Sequence, residues 1–181
     1  MARLRILTPL AALGVVLALG GCGTATKKAG SSAKETGPQQ FVAMAQGVSQ
    51  ATPGVNHDDV LNIDLRFIDA PYGFTTLKVH KFLISRPPPP FKVHDGTYTL
   101  TATNGDQMVL TTEGFANLPQ ASPDKFFATA FETWNVKSGT GRFAGATGSG
   151  KVISPAALDA LGKHRNAVVK YFVGQVDVKG E

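Results

Sequence analysis

The sequence has little of what commonly stabilises a small domain or spans a membrane. One cysteine in 181 residues excludes an intramolecular disulfide, so a hydrophobic core must hold the fold. Its most apolar run, Ile6 to Leu19, is shorter than the ~20 residues of a transmembrane helix. Charged residues form 17% of the chain, the net charge is +5, and basic residues do not cluster with aromatic ones. These features argue against nucleic acid as a partner.

Common catalytic and metal-binding motifs are also absent. The sequence contains no Gly-x-Ser-x-Gly elbow, no phosphate-binding loop and no Cys-x-x-Cys pair. Its four histidines are His57, His80, His94 and His164. None has a paired spacing, and adjacent residues such as His57-Asp58-Asp59 point to opposite faces of a strand. We therefore expect neither a metal nor a cofactor.

The N-terminus has the pattern of a secretory signal. Arg3 and Arg5 precede the apolar run, and small residues follow at Gly20 and Gly21. Leu19-Gly20-Gly21-Cys22 resembles the lipobox of bacterial lipoproteins, in which the cysteine is acylated and becomes the first residue. The resemblance implies a signal peptide at 1–21 and lipid attachment at Cys22. Without the two arginines the net charge of the chain falls to about +3.

The stretch 22–40 has no large apolar residue after the cysteine and predicts a disordered tether. In bacteria with two membranes, Gly23 rather than Asp after the cysteine favours the outer membrane in proteins of this kind. We therefore expect a lipid-anchored protein of the cell envelope, with its folded part, 41–181, outside the cytoplasm.

The folded part has the pattern of a sequential all-β protein. Leu61, Ile63, Leu65 and Phe67 alternate with polar residues, as in a strand with one buried face. Phe74 to Ile84 is rich in β-forming residues but alternates poorly, which favours either a bulge or burial on both faces. Similar segments elsewhere bring the total to about eight strands. The predicted fold is a single antiparallel barrel, or else a sandwich, with at most one short helix at 154–162 and a stiff connector at Pro87 to Pro90.

Asn104-Gly105 predicts a hairpin between two of these strands. A three-residue loop with Gly105 in the left-handed region puts Tyr98, Leu100 and Ala102 on the same face as Met108 and Leu110. A two-residue turn would put them with Gln107 and Val109 instead. The first register gives the cleaner apolar face, so we favour it.

Gly139 to Gly150 (Gly-Thr-Gly-Arg-Phe-Ala-Gly-Ala-Thr-Gly-Ser-Gly) is the most distinctive stretch of the chain. We predict a tight connection between strands, with a helical turn near Arg142 and with Arg142 and Phe143 folded back onto the sheet. This stretch, together with Asn104-Gly105-Asp106-Gln107, resembles the allene oxide cyclase and dirigent group of calycin-like barrels, although Ser138 replaces a usual glycine. The resemblance implies the barrel fold. It does not carry an activity to this chain, because the cyclase site cannot be matched to its residues.

The candidate site residues are Glu132, Arg142, Trp134 and Tyr98. Glu132 shares a strand face with Trp134, and if that face is internal its carboxylate must be paired or protonated. Three interpretations stay open: an acid or base at a cavity mouth, an ion pair with Arg142 that fixes the glycine loop, or simple exposure. Trp134, Tyr98 and Phe131 are expected in the barrel core rather than in a ligand platform.

The sequence favours a lipid-anchored barrel that binds a small apolar or amphipathic ligand or a partner, rather than an enzyme. The alternatives are an isomerase or cyclase of the allene oxide cyclase type, and a structural surface module that forms homo-oligomers. An internal cavity with convergent polar groups would favour the first two. A solid barrel with an exposed apolar patch would favour the third.

Overall fold

The computed structural model describes residues 37–55, 58–84, 90–117, 127–157 and 165–179. Eight antiparallel strands form one closed barrel, in which each strand pairs with its neighbours in sequence and the last pairs with the first. The strands are β1 Gln39–Thr52, β2 Asp58–Asp69, β3 Phe74–Ile84, β4 Phe91–Ala102, β5 Gln107–Asn117, β6 Phe127–Gly139, β7 Thr147–Ala157 and β8 Arg165–Asp177. Short 3₁₀ turns occur at Pro71–Gly73 and Gly141–Phe143. The predicted all-β antiparallel barrel is confirmed.

Alternation of side chains between the two faces of each strand builds the core. In β2, Ile63 and Leu65 are buried, and in β3, Leu77 and Val79 lie on the same internal face. Of the two alternatives for β3, the structure favours the bulge, because the pairing of β3 with β4 shifts register between His80 and Phe82 and again near Phe74, whereas burial alternates along the strand. Such shifts bend the strand and help the sheet to close.

The β4–β5 hairpin has the predicted three-residue loop. The Ala102 N–H donates to Asp106 O (2.9 Å), the Gly105 N–H donates to Ala102 O (2.9 Å) and Gly105 has φ +88°. Leu100 therefore lies opposite Met108, and the inward residues on both strands are buried. The predicted register is confirmed.

Aromatic side chains fill the end of the barrel that holds the β4–β5 hairpin. Phe74 stacks on Phe143 (ring centroids 4.8 Å apart), and Phe41 meets Trp134 edge to face (5.6 Å). All four rings are at most 4% exposed. We call this half of the barrel the packed half.

The glycine stretch seals the packed half. The turn at Gly141–Phe143 inserts Phe143 into the core, where it is fully buried. Asp106 holds the turn by accepting a hydrogen bond from the Arg142 N–H (3.2 Å). A Cβ on Gly141 (φ +54°) would lie 1.9 Å from the Asp106 carboxylate, so a larger residue would clash with the acceptor that fixes the loop. The two motifs that carry the family resemblance thus contact each other directly.

The predicted short helix is wrong in its first turn. Ser154 and Pro155 lie in β7, opposite Ala130 and Thr129 of β6. On the other side, the pairing of β7 with β8 passes from Ile153–Tyr171 to Ala156–Val168. Both pairs have the same register, so the ladder between β7 and β8 is interrupted at the proline, which has no N–H to donate. Ala156 and Ala157 also lie in β7, and the rest of the predicted helix, 158–162, lies outside the described residues.

Some other predictions also concern residues outside the described part of the chain. These are the signal peptide at 1–21, the lipidated Cys22, the prolines at 87–89 and most of the tether. β1 begins at Gln39, so Gln39 and Gln40 belong to the barrel rather than to the tether. Across the described ranges, no helix combines the length and the hydropathy required to span a bilayer.

Candidate functional site

The half of the barrel opposite the packed half contains a cavity of about 220 Å³. Small side chains leave this space open: the lining includes Ala51, Ala116, Ala128, Ala130 and Ala156. Larger aliphatic residues complete the apolar wall, namely Leu61, Ile63, Leu83, Val93 and Val168. These residues come from all of the strands, near the end at which β1, β3, β5 and β7 terminate.

The described lining of the cavity is partly exposed near that end of the barrel. Ala51, Asp59, Leu61, Ala156 and Asn166 line it and are only partly buried. The polar lining residues nearer the middle of the barrel are at most 5% exposed. They are Ser49, Lys81, Ser154 and Lys170. The cavity thus has a partly exposed rim and a buried polar floor.

Glu132 organises the floor from β6. Its Oε1 accepts a hydrogen bond from Lys81 Nζ of β3 (2.6 Å) and lies 3.6 Å from Lys170 Nζ of β8. Its Oε2 accepts from the Tyr98 hydroxyl (2.8 Å) and from the Thr112 hydroxyl (3.1 Å). The Glu132 side chain is fully buried, so four polar partners from four strands compensate the loss of water around its charge.

Lys170 links this network to β7. Its Nζ donates to the Tyr98 hydroxyl (2.7 Å) and to Ser154 Oγ (2.7 Å), and it lies 4.7 Å from the centre of the Tyr98 ring. Its side chain is fully buried. Closer to the rim, Asn166 Nδ2 donates to Ser49 Oγ (3.1 Å). We call Lys81, Tyr98, Thr112, Glu132, Ser154 and Lys170 the polar floor; Lys81, Ser154 and Lys170 line the cavity, and the other three belong to the same hydrogen-bond network without lining it.

The charges of the polar floor perturb one another. Burial raises the pKa of the Glu132 carboxyl, but the charges of Lys81 and Lys170 outweigh it and lower this pKa to about 2. Burial and the charge of Lys81 lower the pKa of Lys170 to about 7. Burial and the neighbouring Glu132 charge raise the pKa of Tyr98 well above 10. Around neutral pH the floor therefore contains a carboxylate, a neutral phenol and an amine that can gain or lose a proton.

Because of Lys170, the free energy of unfolding should rise with pH between about 7 and 10. In this range the unfolded chain binds a proton at this lysine (ordinary pKa 10.5) and the folded chain does not. The rise can reach about 1.4 kcal/mol per pH unit, and deprotonation of Tyr98 in the unfolded chain opposes it only above about pH 10. Urea unfolding at pH 7 and 9 should show this slope in the wild type and in Lys151→Met, which changes an exposed lysine, but not in Lys170→Met. The same slope in Lys170→Met would contradict the assignment.

Two of the sequence-predicted site residues meet in the polar floor and two do not. Glu132 and Tyr98 are hydrogen-bonded to each other. Trp134 is fully buried in the packed half, where its Nε1 donates to Lys151 O (3.2 Å). As expected, Tyr98 and Trp134 are core residues, but Phe131 is 38% exposed on the outer face, so its predicted core position is wrong.

The predicted ion pair between Glu132 and Arg142 is wrong. Glu132 is paired with Lys81 and Lys170. Arg142 belongs to the turn that seals the packed half, where its guanidinium donates to the Tyr72 carbonyl and lies 4.9 Å from the centre of the Phe143 ring. Arg142 thus folds back onto the barrel as expected, but at the end away from the cavity.

Sequence reasoning missed Lys81 and Lys170, although alternation could have identified both. Lys81 shares its strand face with Leu77, Val79 and Leu83, and Lys170 lies between the inward-facing Val168 and Phe172. A lysine at an inward position is unusual because lysine is rarely buried without a partner. Its partner, Glu132, is 51 residues away from Lys81 in sequence.

His80 and His94 lie away from the polar floor. His80 Nδ1 is 2.9 Å from Asn62 Oδ1, while His94 contacts Asp95 (2.7 Å) and Asp58 (3.1 Å). Hydrogen bonding to Asp95 raises the pKa of His94 above its ordinary value. Among the described residues, no group of three or more His, Cys, Asp or Glu side chains is placed to hold a metal ion.

A wider depression of about 930 Å³ lies along β1, β2, β3, β7 and β8. Many of the side chains that line it are exposed and point outward, including Gln46, Asn62 and Lys78. Among its described lining residues, the charged ones are exposed, unlike the buried ionic groups of the internal cavity. We therefore take the smaller cavity, with its polar floor, as the candidate site.

Neither a family model, nor a curated protein, nor a solved structure matches the chain. The resemblance to the allene oxide cyclase and dirigent group, and that to bacterial lipoproteins, stay predictions.

Proposed function

We propose that the protein is a lipid-anchored component of the cell envelope whose barrel binds a small amphipathic molecule. The observation that carries the proposal is the cavity, which combines a wall of alanine and aliphatic side chains with a buried polar floor. The wall would hold an apolar body, and the floor would orient a polar group. The lipid anchor at Cys22 rests on the sequence pattern alone.

The composition of the wall supports a binding role over a purely structural one. In the packed half, large aromatic rings fill the barrel, whereas five alanines line the cavity. Larger side chains at these alanine positions would bury more apolar surface and stabilise the fold. The open space is therefore a cost to stability that ligand binding would explain.

Native mass spectrometry of the full chain, purified gently from its own host, tests this proposal. We expect an additional small-molecule mass on the wild type. Ala130→Leu adds three carbon atoms to the cavity wall and should remove that mass without unfolding the barrel, because the cavity gives the new atoms room.

Thr129→Leu is the matched control, since the neighbouring Thr129 is only partly buried, on the opposite face of β6. It should keep the bound mass. Retention of the same mass by Ala130→Leu would place the molecule outside the cavity. A bare chain from the host, followed by failure to take up any amphipathic molecule, would overturn the proposal.

An isomerase or cyclase is the second candidate, because Lys170 lies at the cavity floor beside the Tyr98 hydroxyl (2.7 Å). An amine with a pKa of about 7 is suited to act as a general base near neutral pH. Incubation of the protein with a lipid extract of its host distinguishes the two roles. A product of unchanged mass but altered retention time, formed by the wild type and not by Lys170→Met, would favour the enzyme. Depletion of a component that denaturation returns unchanged would favour the binding protein.

Self-association is supported by an apolar stripe on the outer face. Phe115, Phe131, Ile153 and Tyr171 are successive cross-strand neighbours on β5 to β8, and each is 38–46% exposed. A connected apolar stripe is a common feature of interaction surfaces. The native mass spectrum reports the number of chains in the assembly as well as any bound ligand, so the same measurement tests self-association and ligand binding.

A further inference from the structure

The polar floor has more positive than negative groups. Lys81 Nζ and Lys170 Nζ both approach Oε1 of Glu132, at 2.6 and 3.6 Å. Across the described ranges, Glu132 is the carboxylate that pairs with either amine. If both amines are protonated, the floor carries an excess of one positive charge away from water, which is costly unless a further anion balances it.

The hydrogen-bonding groups around the cavity also favour a ligand that accepts hydrogen bonds. The Lys81 ammonium has three N–H donors, and in the part of the chain that the structure describes its acceptor is Glu132. Two donors are therefore left for a ligand oxygen or for water. Ser49 Oγ already accepts from Asn166, so its hydroxyl proton can be donated. The floor is thus suited to an oxygen-rich, negatively charged group.

The other charged group of the lining lies at the rim. Asp59 is partly buried and accepts a hydrogen bond from the Gly54 N–H (3.3 Å). Leu61, two residues further along β2, is opposite Lys81. Negative charge therefore lies near the opening and the surplus of amines lies at the floor, so an anionic group is better stabilised at the floor.

Resting on the binding function proposed above, we infer that the ligand is a small carboxylic acid whose carboxylate lies against Lys81 and Lys170 at the polar floor, and that its binding is coupled to uptake of one proton by Lys170. The second carboxylate restores charge balance with both amines protonated. The proton comes from solvent, and no covalent bond changes.

The size of the cavity limits the length of the acid. Its volume of about 220 Å³ is roughly seven times the ~30 Å³ that one water molecule occupies in the liquid. A six-carbon acid therefore fits with its chain against the alanine wall, and longer chains must extend through the rim. Hexanoate, 1-hexanol and hexylamine form a matched probe set that differs only in the polar end.

Isothermal titration of the full chain with the three probes tests the inference. At pH 6.5 we expect hexanoate to bind at least about tenfold more tightly than hexanol. Above pH 7 its Kd should rise by up to about tenfold per pH unit, because Lys170 must first take up a proton. Titration at pH 8.5 in buffers of different ionisation enthalpy should show uptake of about one proton per hexanoate and none for hexanol.

Lys170→Met should bind hexanoate no better than hexanol and should take up no proton. This variant keeps the Lys81–Glu132 pair intact, and its binding of hexanol shows that the cavity is formed. Lys151→Met, at an exposed position on β7, should behave as the wild type. The wild-type pH profile tests the inference independently, even if Lys170→Met does not fold.

The outcomes separate this inference from the function on which it rests. Equal affinities for hexanoate and hexanol, or tightest binding of hexylamine, would overturn the carboxylate assignment and leave a binding cavity. Hexanoate binding without pH dependence or proton uptake would overturn the role of Lys170. If the wild type binds none of the three probes, the inference is overturned, and the native mass spectrum of the protein from its host decides whether the proposed binding function is overturned as well.

Discussion

Replacement of Glu132 by glutamine should lower the free energy of unfolding by about 3–5 kcal/mol, the typical cost of removing one partner from a buried ion pair. The substitution keeps the shape of the side chain but removes the negative charge that faces Lys81 (2.6 Å) and Lys170 (3.6 Å). The Tyr98 and Thr112 hydroxyls also lose a charged acceptor. Urea unfolding at pH 7, followed by far-UV circular dichroism, measures the change.

Glu113→Gln is the matched control, because Glu113 is exposed on the outer face of β5. It should change the free energy by no more than about 0.5 kcal/mol.

Since a domain of this kind is stable by only about 5–15 kcal/mol, Glu132→Gln could leave too little folded protein to measure. The triple variant Lys81→Met, Glu132→Leu and Lys170→Met answers that case: it replaces the ionic groups by apolar ones, leaves no uncompensated charge, and should be more stable than Glu132→Gln. Equal effects of Glu132→Gln and Glu113→Gln would show that the charge of Glu132 does not support the fold.

Most of the fold was predictable because it depends on local sequence patterns. Alternation in β2 and the Asn104-Gly105 turn specify strand faces and hairpin register over a few residues. A sequence of hairpins with one internal face closes most simply into a barrel, which leaves no unpaired edge. The wrong prediction of a helix start at Ser154 and Pro155 has the same cause, because a Ser-Pro dipeptide is also a common start of an α-helix. In the barrel, the long-range pairing of β7 with β6 decides the conformation.

The candidate site was less predictable because its contacts join distant strands. Glu132 was identified as an inward carboxylate, but its partner could not be derived from sequence distance. Arg142 is 10 positions away and lies at the other end of the barrel, whereas Lys81 and Lys170 are 51 and 38 positions away and meet Glu132. The cavity itself depends on which small side chains face one another across strands, as Ala116 and Ala130 do. That property depends on the closed sheet, not on any single segment.

In the packed half, small residues make room for a large side chain instead of leaving a cavity. Trp134 on β6 lies across Gly150 of β7 and Gly174 of β8, which are themselves cross-strand partners. A Cβ on Gly174 would lie 2.5 Å from the Trp134 ring, 2.7 Å from Gly150 Cα and 2.3 Å from the Ser149 carbonyl oxygen. Real Cβ atoms essentially never approach other atoms so closely. Here glycine makes room for the largest side chain of the core, rather than for a ligand.

Gly174→Ala should therefore destabilise the protein by about 3 kcal/mol, at the upper end of the usual cost of overpacking, and thermal unfolding should occur at a clearly lower temperature. Gly105→Ala is the comparison, because Gly105 has open space around its Cβ position but a φ of +88°. It should cost only about 1–2 kcal/mol, from backbone strain.

Trp134→Leu added to Gly174→Ala should restore little, because the contacts with Ser149 and Gly150 involve backbone atoms that a smaller side chain at position 134 does not remove. Full recovery in the double variant would show instead that β7 and β8 can separate and that the ring alone sets their spacing. A Gly174→Ala protein as stable as Gly105→Ala would mean that the two strands are not packed against Trp134 as closely as the glycine pair requires.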